Sequence, residues 1–198
     1  MKKLSTYLFL ILFSFQTSSL ADDIRDFQIE GISIGDSLLD YFSKSTIDES
    51  VALNPQYPKE DFKISWFNKT KNGKKFFTYD GITIYFKNKK YSIHGITGSI
   101  YFKYFKNCSK KKKSIINDLE NSLNIKFGIE QEVKLFTTSD DSTMMYGNVY
   151  TFPSGATIQI TCYDWSEDQE KIGRKDELAL AISDHEYHRW MDSISDLY

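Results

Sequence analysis

KFFTYDGITIYFKNKKYSIHGITGSIYFKY, residues 75–104, is the stretch on which the fold turns. Ile82, Ile84 and Phe86 alternate with Thr83 and Tyr85, the period-two pattern of a strand with one buried face. The polar break Asn88-Lys89-Lys90 divides the stretch into β-rich arms, 75–87 and 91–104, which predicts a long antiparallel hairpin. Gly95-Ile96-Thr97-Gly98-Ser99 lies inside the second arm rather than before a helix and has no P-loop lysine. Its glycines predict a bulge or a point of close packing on the sheet. The hairpin is rich in aromatics, and alternation prevents all of them from pointing inward. Tyr79, Tyr85 and Tyr101 are therefore the candidate binding surface, an exposed face for a partner or ligand.

Upstream, FKISWF at 62–67 also alternates, and Asn72-Gly73 is a hairpin-turn signal. Pro55 and Pro58 make 46–61 a predicted loop. In IEGISIGDSLLDYFS, residues 29–43, Ser33 and Asp36 have capping-box spacing, and Ile34, Leu38 and Phe42 share a helical face.

After Cys108 a similar order begins. Ser109 is placed to cap a helix bearing Ile115, Ile116, Leu119 and Leu123, with Gly128 to end it. Strands are predicted at 143–152 and 156–165 around the turn Pro153-Ser154-Gly155, with Ile158, Ile160 and Cys162 on one face. A polar loop leads to a strand at 177–182. A final helix follows, boxed by Ser183 and Glu186, with Tyr187, Trp190, Met191 and Ile194 as its apolar stripe. The pattern predicts an α+β fold of two tandem helix-plus-antiparallel-strand units, 22–107 and 108–198, forming one compact domain with its helices on one face of a sheet.

Residues 1–21 read as a cleaved signal peptide: Lys2 and Lys3, a short apolar run from Tyr7 to Phe15, then Ser19-Leu20-Ala21. A soluble periplasmic or secreted protein is expected, with no stable membrane anchor, because no later segment approaches the ~20 apolar residues of a spanning helix. Of 25 basic residues, all but Lys2 and Lys3 remain after cleavage, against 27 acidic ones, a formal net charge of −4. That balance argues against nucleic acid as a partner. The one dense basic cluster, the lysines at 110–113, reads as the solvated first turn of a helix, with an anion contact as the alternative. Cys108 and Cys162 are the only cysteines, and export to an oxidising compartment predicts that they are bonded.

Residues 26–42 (DFQIEGISIGDSLLDYF) and 162–168 (CYDWSED) resemble recurring patterns in small exported proteins of AT-rich marine bacteria. That resemblance implies export and assigns no activity. More distantly, IEGISIGDSLLDYF is similar to the helix start of small BamE-like periplasmic domains, with Ile32 where those domains carry methionine, and the tandem order is similar to β-lactamase inhibitor proteins. Both imply a binding module.

Catalytic and metal signatures are sparse. His185 and His188 are the candidate metal ligands, at i and i+3 where a zincin helix would have i and i+4, and no third ligand is in evident reach. Asp140, Asp141, Asp164, Glu167, Asp168 and Glu170 form an acidic region without EF-hand spacing. No G-x-S-x-G elbow is present. The expectation is a non-catalytic envelope binding or interaction protein, without a cofactor, whose partner is an envelope protein or a small ligand. The alternative is a small periplasmic hydrolase or metal-dependent enzyme.

Overall fold

A computed structural model describes residues 23–51, 62–68, 76–87, 89–135 and 142–195. The predicted signal peptide, the Pro55 and Pro58 segment, the Asn72-Gly73 turn, Asp140 and Asp141 lie outside the described residues, as does the side chain of Ile194.

The chain opens with a small hairpin of β1 (Gln28–Ile29) and β2 (Ile32–Ser33), turning at Glu30 and Gly31, both at positive φ. A 3-10 turn at Leu38–Asp40 and α1 (Lys44–Ser50) follow. Next come β3 (Lys63–Asn68), β4 (Gly81–Lys87), β5 (Ser92–Tyr101) and the long α2 (Phe105–Leu123). The rest comprises β6 (Gln131–Leu135), β7 (Thr143–Thr151), β8 (Thr157–Asp164), α3 (Glu167–Lys171), β9 (Glu177–Ser183) and α4 (His185–Ser195).

The predicted hairpin forms, with β4 and β5 antiparallel. The predicted tandem units do not. Strands β3 to β9 make one antiparallel sheet in the order β3-β4-β5-β9-β8-β7-β6. The last strand, β9, lies between β5 and β8 and bonds to both, so the sheet has no seam at residue 108. Cross-strand apolar matching is the physical reason. Ile84, Ile96, Ile182 and Ile158 face one another in successive pairs across four strands, and all four are buried. Aligned cross-strand pairs of this kind contribute roughly 0.2–1 kcal/mol each relative to a pair of alanines.

The helices are not on one face either. Alternation puts Ile82, Ile84 and Phe86 on the inner face, which is covered by β1, β2, α1, α2 and the segment between β2 and α1. Phe42 stacks on Phe67 there at 3.9 Å between ring centroids. α4 instead crosses the opposite, outer face, where its Tyr187 packs beside Gly95 and Tyr85. It builds a second small cluster with Phe62 and Trp190.

Local chemistry explains several boundary differences. Ser33 sits in β2 rather than capping a helix, but its N–H donates to Asp36 at 3.1 Å, one half of the expected box. Ser37 caps the short 3-10 turn, and Ser43 caps α1, which runs into the predicted loop with Ile47 as its buried anchor. α2 begins at Phe105, ahead of Ser109, and ends on Asn124 in the left-handed conformation, ahead of Gly128. Asp184, not Ser183, caps α4 by accepting from the Tyr187 N–H at 2.9 Å.

The longer α2 also changes the lysine cluster. Lys112 is 1 % exposed, and its ammonium donates to the Glu130 carboxylate and to the Tyr146 carbonyl. It is a buried ammonium paired with an exposed carboxylate rather than part of a solvated turn. Cys108 on α2 and Cys162 on β8 form a disulfide with Cα atoms 5.9 Å apart, clamping α2 to the inner face. No described helix is long and apolar enough to cross a membrane.

Candidate functional site

The outer face is left partly open beside α4, and there it forms a groove of about 400 Å³. That volume falls in the range of small-ligand sites, about 300–1,000 Å³. The floor is small and hydroxylated: Ala179 and Ala181 of β9 flanked by Thr83, Thr97, Ser99, Thr157, Gln159 and Thr161. Small residues on the central strand keep the floor low, and α4 raises one wall with Tyr187, His188, Met191 and Asp192. From Ser183 to Glu177 the floor runs along β9, a span of about 20 Å at ~3.4 Å per residue.

Glu177 marks the far end, paired across the ladders with Tyr101 and Tyr163. Burial pushes its carboxyl up to about 7, with Arg174 pulling weakly the other way. Tyr163, also buried, has its phenol raised well above the ordinary value. The lining includes the carboxylates of Glu177 and Asp192 and no lysine or arginine. The groove therefore favours neutral or cationic groups over anions.

The three tyrosines expected to form a binding face are separated by this geometry. Tyr85 lines the groove and stacks near Tyr187 at 4.6 Å between centroids. Tyr101 shares that face, beside Glu177 at its end. Tyr79 turns away to the inner face, where its ring lies over Gly98 so closely that an added Cβ would stand 2.5 Å from it. This explains Gly98, and the burial that raises the Tyr79 phenol. Tyr163 and Tyr187 replace Tyr79 in the groove; Tyr187 reads from sequence only as part of a helix's apolar stripe.

The histidines do not converge. His185 is exposed and rests on Gly155, while His188 lies 3.8 Å from Asp192 on the groove wall. Among the described residues no group of three or more His, Cys, Asp or Glu side chains is placed to hold a metal. Of the acidic region, Glu167, Asp168 and Glu170 lie in or beside the first turn of α3, and Asp168 pairs with Lys171. Burial, with Glu170 nearby, raises the Asp164 carboxyl.

A second constellation sits where β5 meets α4. The register shifts between Tyr85 and Phe86, which face Gly95 and Ile93, so His94 is the extra residue of a bulge. The His94 carbonyl accepts the Asp184 N–H at 2.9 Å, and its Nδ1 lies 2.6 Å from Asp184 Oδ2. Nε2 lies 3.1 Å from the Ser92 hydroxyl. A carboxylate at Nδ1 keeps the proton there and leaves Nε2 to accept from Ser92. Glu186 is 3.6 Å from the same Nδ1 and is bonded by Lys87, which stands opposite Ser92 in the ladder. The Phe62 ring closes the cluster edge-on to His94, 5.3 Å between centroids. No short motif signals this array, because Asp184 is 90 residues from His94.

Comparison with protein-family models, curated proteins and solved structures finds no match. The functional reading of this chain therefore rests on the groove and the Ser92–His94–Asp184 cluster themselves.

Proposed function

We propose that this is an exported envelope protein that binds a small polar ligand, neutral or cationic, along the outer-face groove. The observation that carries the reading is Glu177. It is a largely buried carboxyl at the end of an open, hydroxyl-floored groove, where burial outweighs the opposing pull of Arg174. A carboxyl whose burial outweighs its counter-charge is costly to ionise, and a ligand amine or hydroxyl at that end would relieve the cost. Tyr85, Tyr163 and Tyr187 offer ring faces to the ligand's apolar or cationic parts, and the threonines and Gln159 offer hydrogen bonds. The N-terminal export pattern and the disulfide support placement in an oxidising envelope compartment or outside the cell.

The test is a thermal-shift and calorimetric screen of sugars, polyols, amines and anionic controls against wild type and Ala181→Trp. Ala181 faces the groove, so the indole fills open space rather than core. Wild type should bind at least one neutral or cationic compound, and Ala181→Trp should lose that binding with an unchanged Tm. Binding confined to the anionic controls, equal binding by the variant, or no binding to any compound would each sink the reading.

A further inference from the structure

We propose that Ser92, His94 and Asp184 form a nucleophile relay that hydrolyses small carboxylic esters, an activity beyond ligand binding in the groove. The connectivity is that of a serine hydrolase: hydroxyl to Nε2 at 3.1 Å, Nδ1 to carboxylate at 2.6 Å. Each member is positioned by backbone chemistry. Ser92 follows Tyr91, a non-glycine residue at φ +53, as the chain turns into β5. Strain of that kind collects at functional positions. His94 is set by the bulge, and Asp184 by its bond to the His94 carbonyl and by capping α4.

The fold does not need the serine contact. Asp184 already joins β5 to α4 through one backbone bond, one imidazole bond and one cap. A hydroxyl on the far nitrogen of the ring adds nothing to that junction, but it is what a nucleophile needs. Lys87 stands directly across the ladder from Ser92, and its ammonium, bonded to Glu186, holds that carboxylate beside the His94 ring. The His94 side chain is only 14 % exposed and Ser92 is half-buried, which restricts the site to a short acyl group.

In the first half-reaction Ser92 Oγ bonds to the acyl carbon as its proton passes to His94 Nε2. The tetrahedral adduct then breaks its bond to the alkoxy oxygen, which leaves as an alcohol carrying the proton from His94. In the second, water loses a proton to Nε2 and attacks the acyl-serine, and Ser92 regains its proton as the carboxylic acid departs. Ser92 and His94 touch the reacting atoms. Asp184 is a positioning residue, holding the Nδ1 proton and stabilising the imidazolium.

The full oxidised chain should be treated with a fluorophosphonate probe, with adducts mapped by mass spectrometry, and assayed with p-nitrophenyl acetate. We expect one adduct, on Ser92, and turnover that Ser92→Ala abolishes without changing Tm. Asp184→Asn keeps an oxygen for the Tyr187 cap but places a neutral group beside His94. It should slow labelling by about 100-fold or more and shift the acid limb of the pH–rate profile to lower pH. The groups facing His94 in that profile are Asp184, Glu186 and, through Glu186, Lys87. His94→Gln serves as a second variant and should lose labelling with the fold intact by circular dichroism. No adduct on Ser92 in the folded protein, undiminished turnover by Ser92→Ala, or wild-type labelling and pH profile in Asp184→Asn would overturn the proposal. Each leaves the groove reading standing, because that rests on Ala181→Trp and ligand binding.

Discussion

Removing the Cys108–Cys162 bond should cost a large share of the stability of this fold. The bond spans a separation of 54 residues, enclosing most of α2, all of β6 and β7 and most of β8. Closing a loop of about 55 residues in the unfolded chain is worth about 4 kcal/mol in the chain-entropy model, a large share of the 5–15 kcal/mol that holds a typical domain together. Both cysteines are 0 % exposed, so replacing them with alanine adds a packing loss of about 1 kcal/mol per sulfur to the cross-link effect. Urea unfolding of three forms separates the contributions: the oxidised protein, the same protein reduced, and the double variant Cys108→Ala, Cys162→Ala. The reduced form should lose about 4 kcal/mol and the variant about 6. Both should show a larger m than the oxidised protein, since the freed chain exposes more surface on unfolding. If the reduced and oxidised proteins unfold at the same urea concentration with the same m, the cross-link is not constraining the unfolded state and the reasoning fails.

The Glu177 carboxyl rises from 4.5 to about 7 on folding, so the folded state keeps a proton that the unfolded state has lost. Stability should fall by up to about 3 kcal/mol as pH climbs from about 4.5 to about 7 and then level off, and Glu177→Gln should remove that part of the slope in denaturation at pH 5 and pH 8. Glu30 accepts the N–H groups of Phe77, Thr78 and Tyr79 at 2.9, 2.6 and 3.1 Å. Glu30→Ala should cost about 2 kcal/mol and speed amide exchange at those residues, and unchanged exchange there would exclude the clamp. At the Lys112–Glu130 pair, Glu130→Ala strands the buried Lys112 ammonium, whereas Lys112→Met leaves the exposed Glu130 to water and only the Tyr146 carbonyl short of a donor. Melting should rank Glu130→Ala as the worse variant, roughly 3 against roughly 1 kcal/mol; the opposite ranking would mean the ammonium is solvated.

Strands with a buried face were legible because alternation is a local signal. β7 and β8 fall within a residue of their predicted bounds, and β4 ends at Lys87 as expected but begins at Gly81, inside the predicted arm. β6 was not legible, because it is an edge strand and Gln131, Glu132, Val133 and Lys134 are all exposed, so burial imposes no period on it. Its partner choice hid β9's place. Leu178, Leu180 and Ile182 read as a strand from sequence, but nothing local says that they face β5 on one side and β8 on the other. The same limit applied to the site. Tyr85 and Tyr101 follow from the alternation of the hairpin, whereas Tyr163, Glu177 and Tyr187 reach the groove only through long-range pairing and the crossing of α4. The Ser92–His94–Asp184 cluster depends further on a one-residue bulge, which leaves no mark in apolar periodicity.

The central position of β9 also governs the order in which the chain can complete itself. Synthesis delivers β3, β4 and β5 first and β6, β7 and β8 next. Until the last segment emerges, β5 and β8 are both open edges, each with a row of unpaired backbone groups. Non-local closure of this kind is slow, because loop entropy is lost before the rewarding contacts form. A nascent or truncated chain lacking residues 177–198 would carry two sticky edges in place of one finished sheet. Chaperone protection, or protease surveillance, would matter most during the interval before the C-terminus arrives.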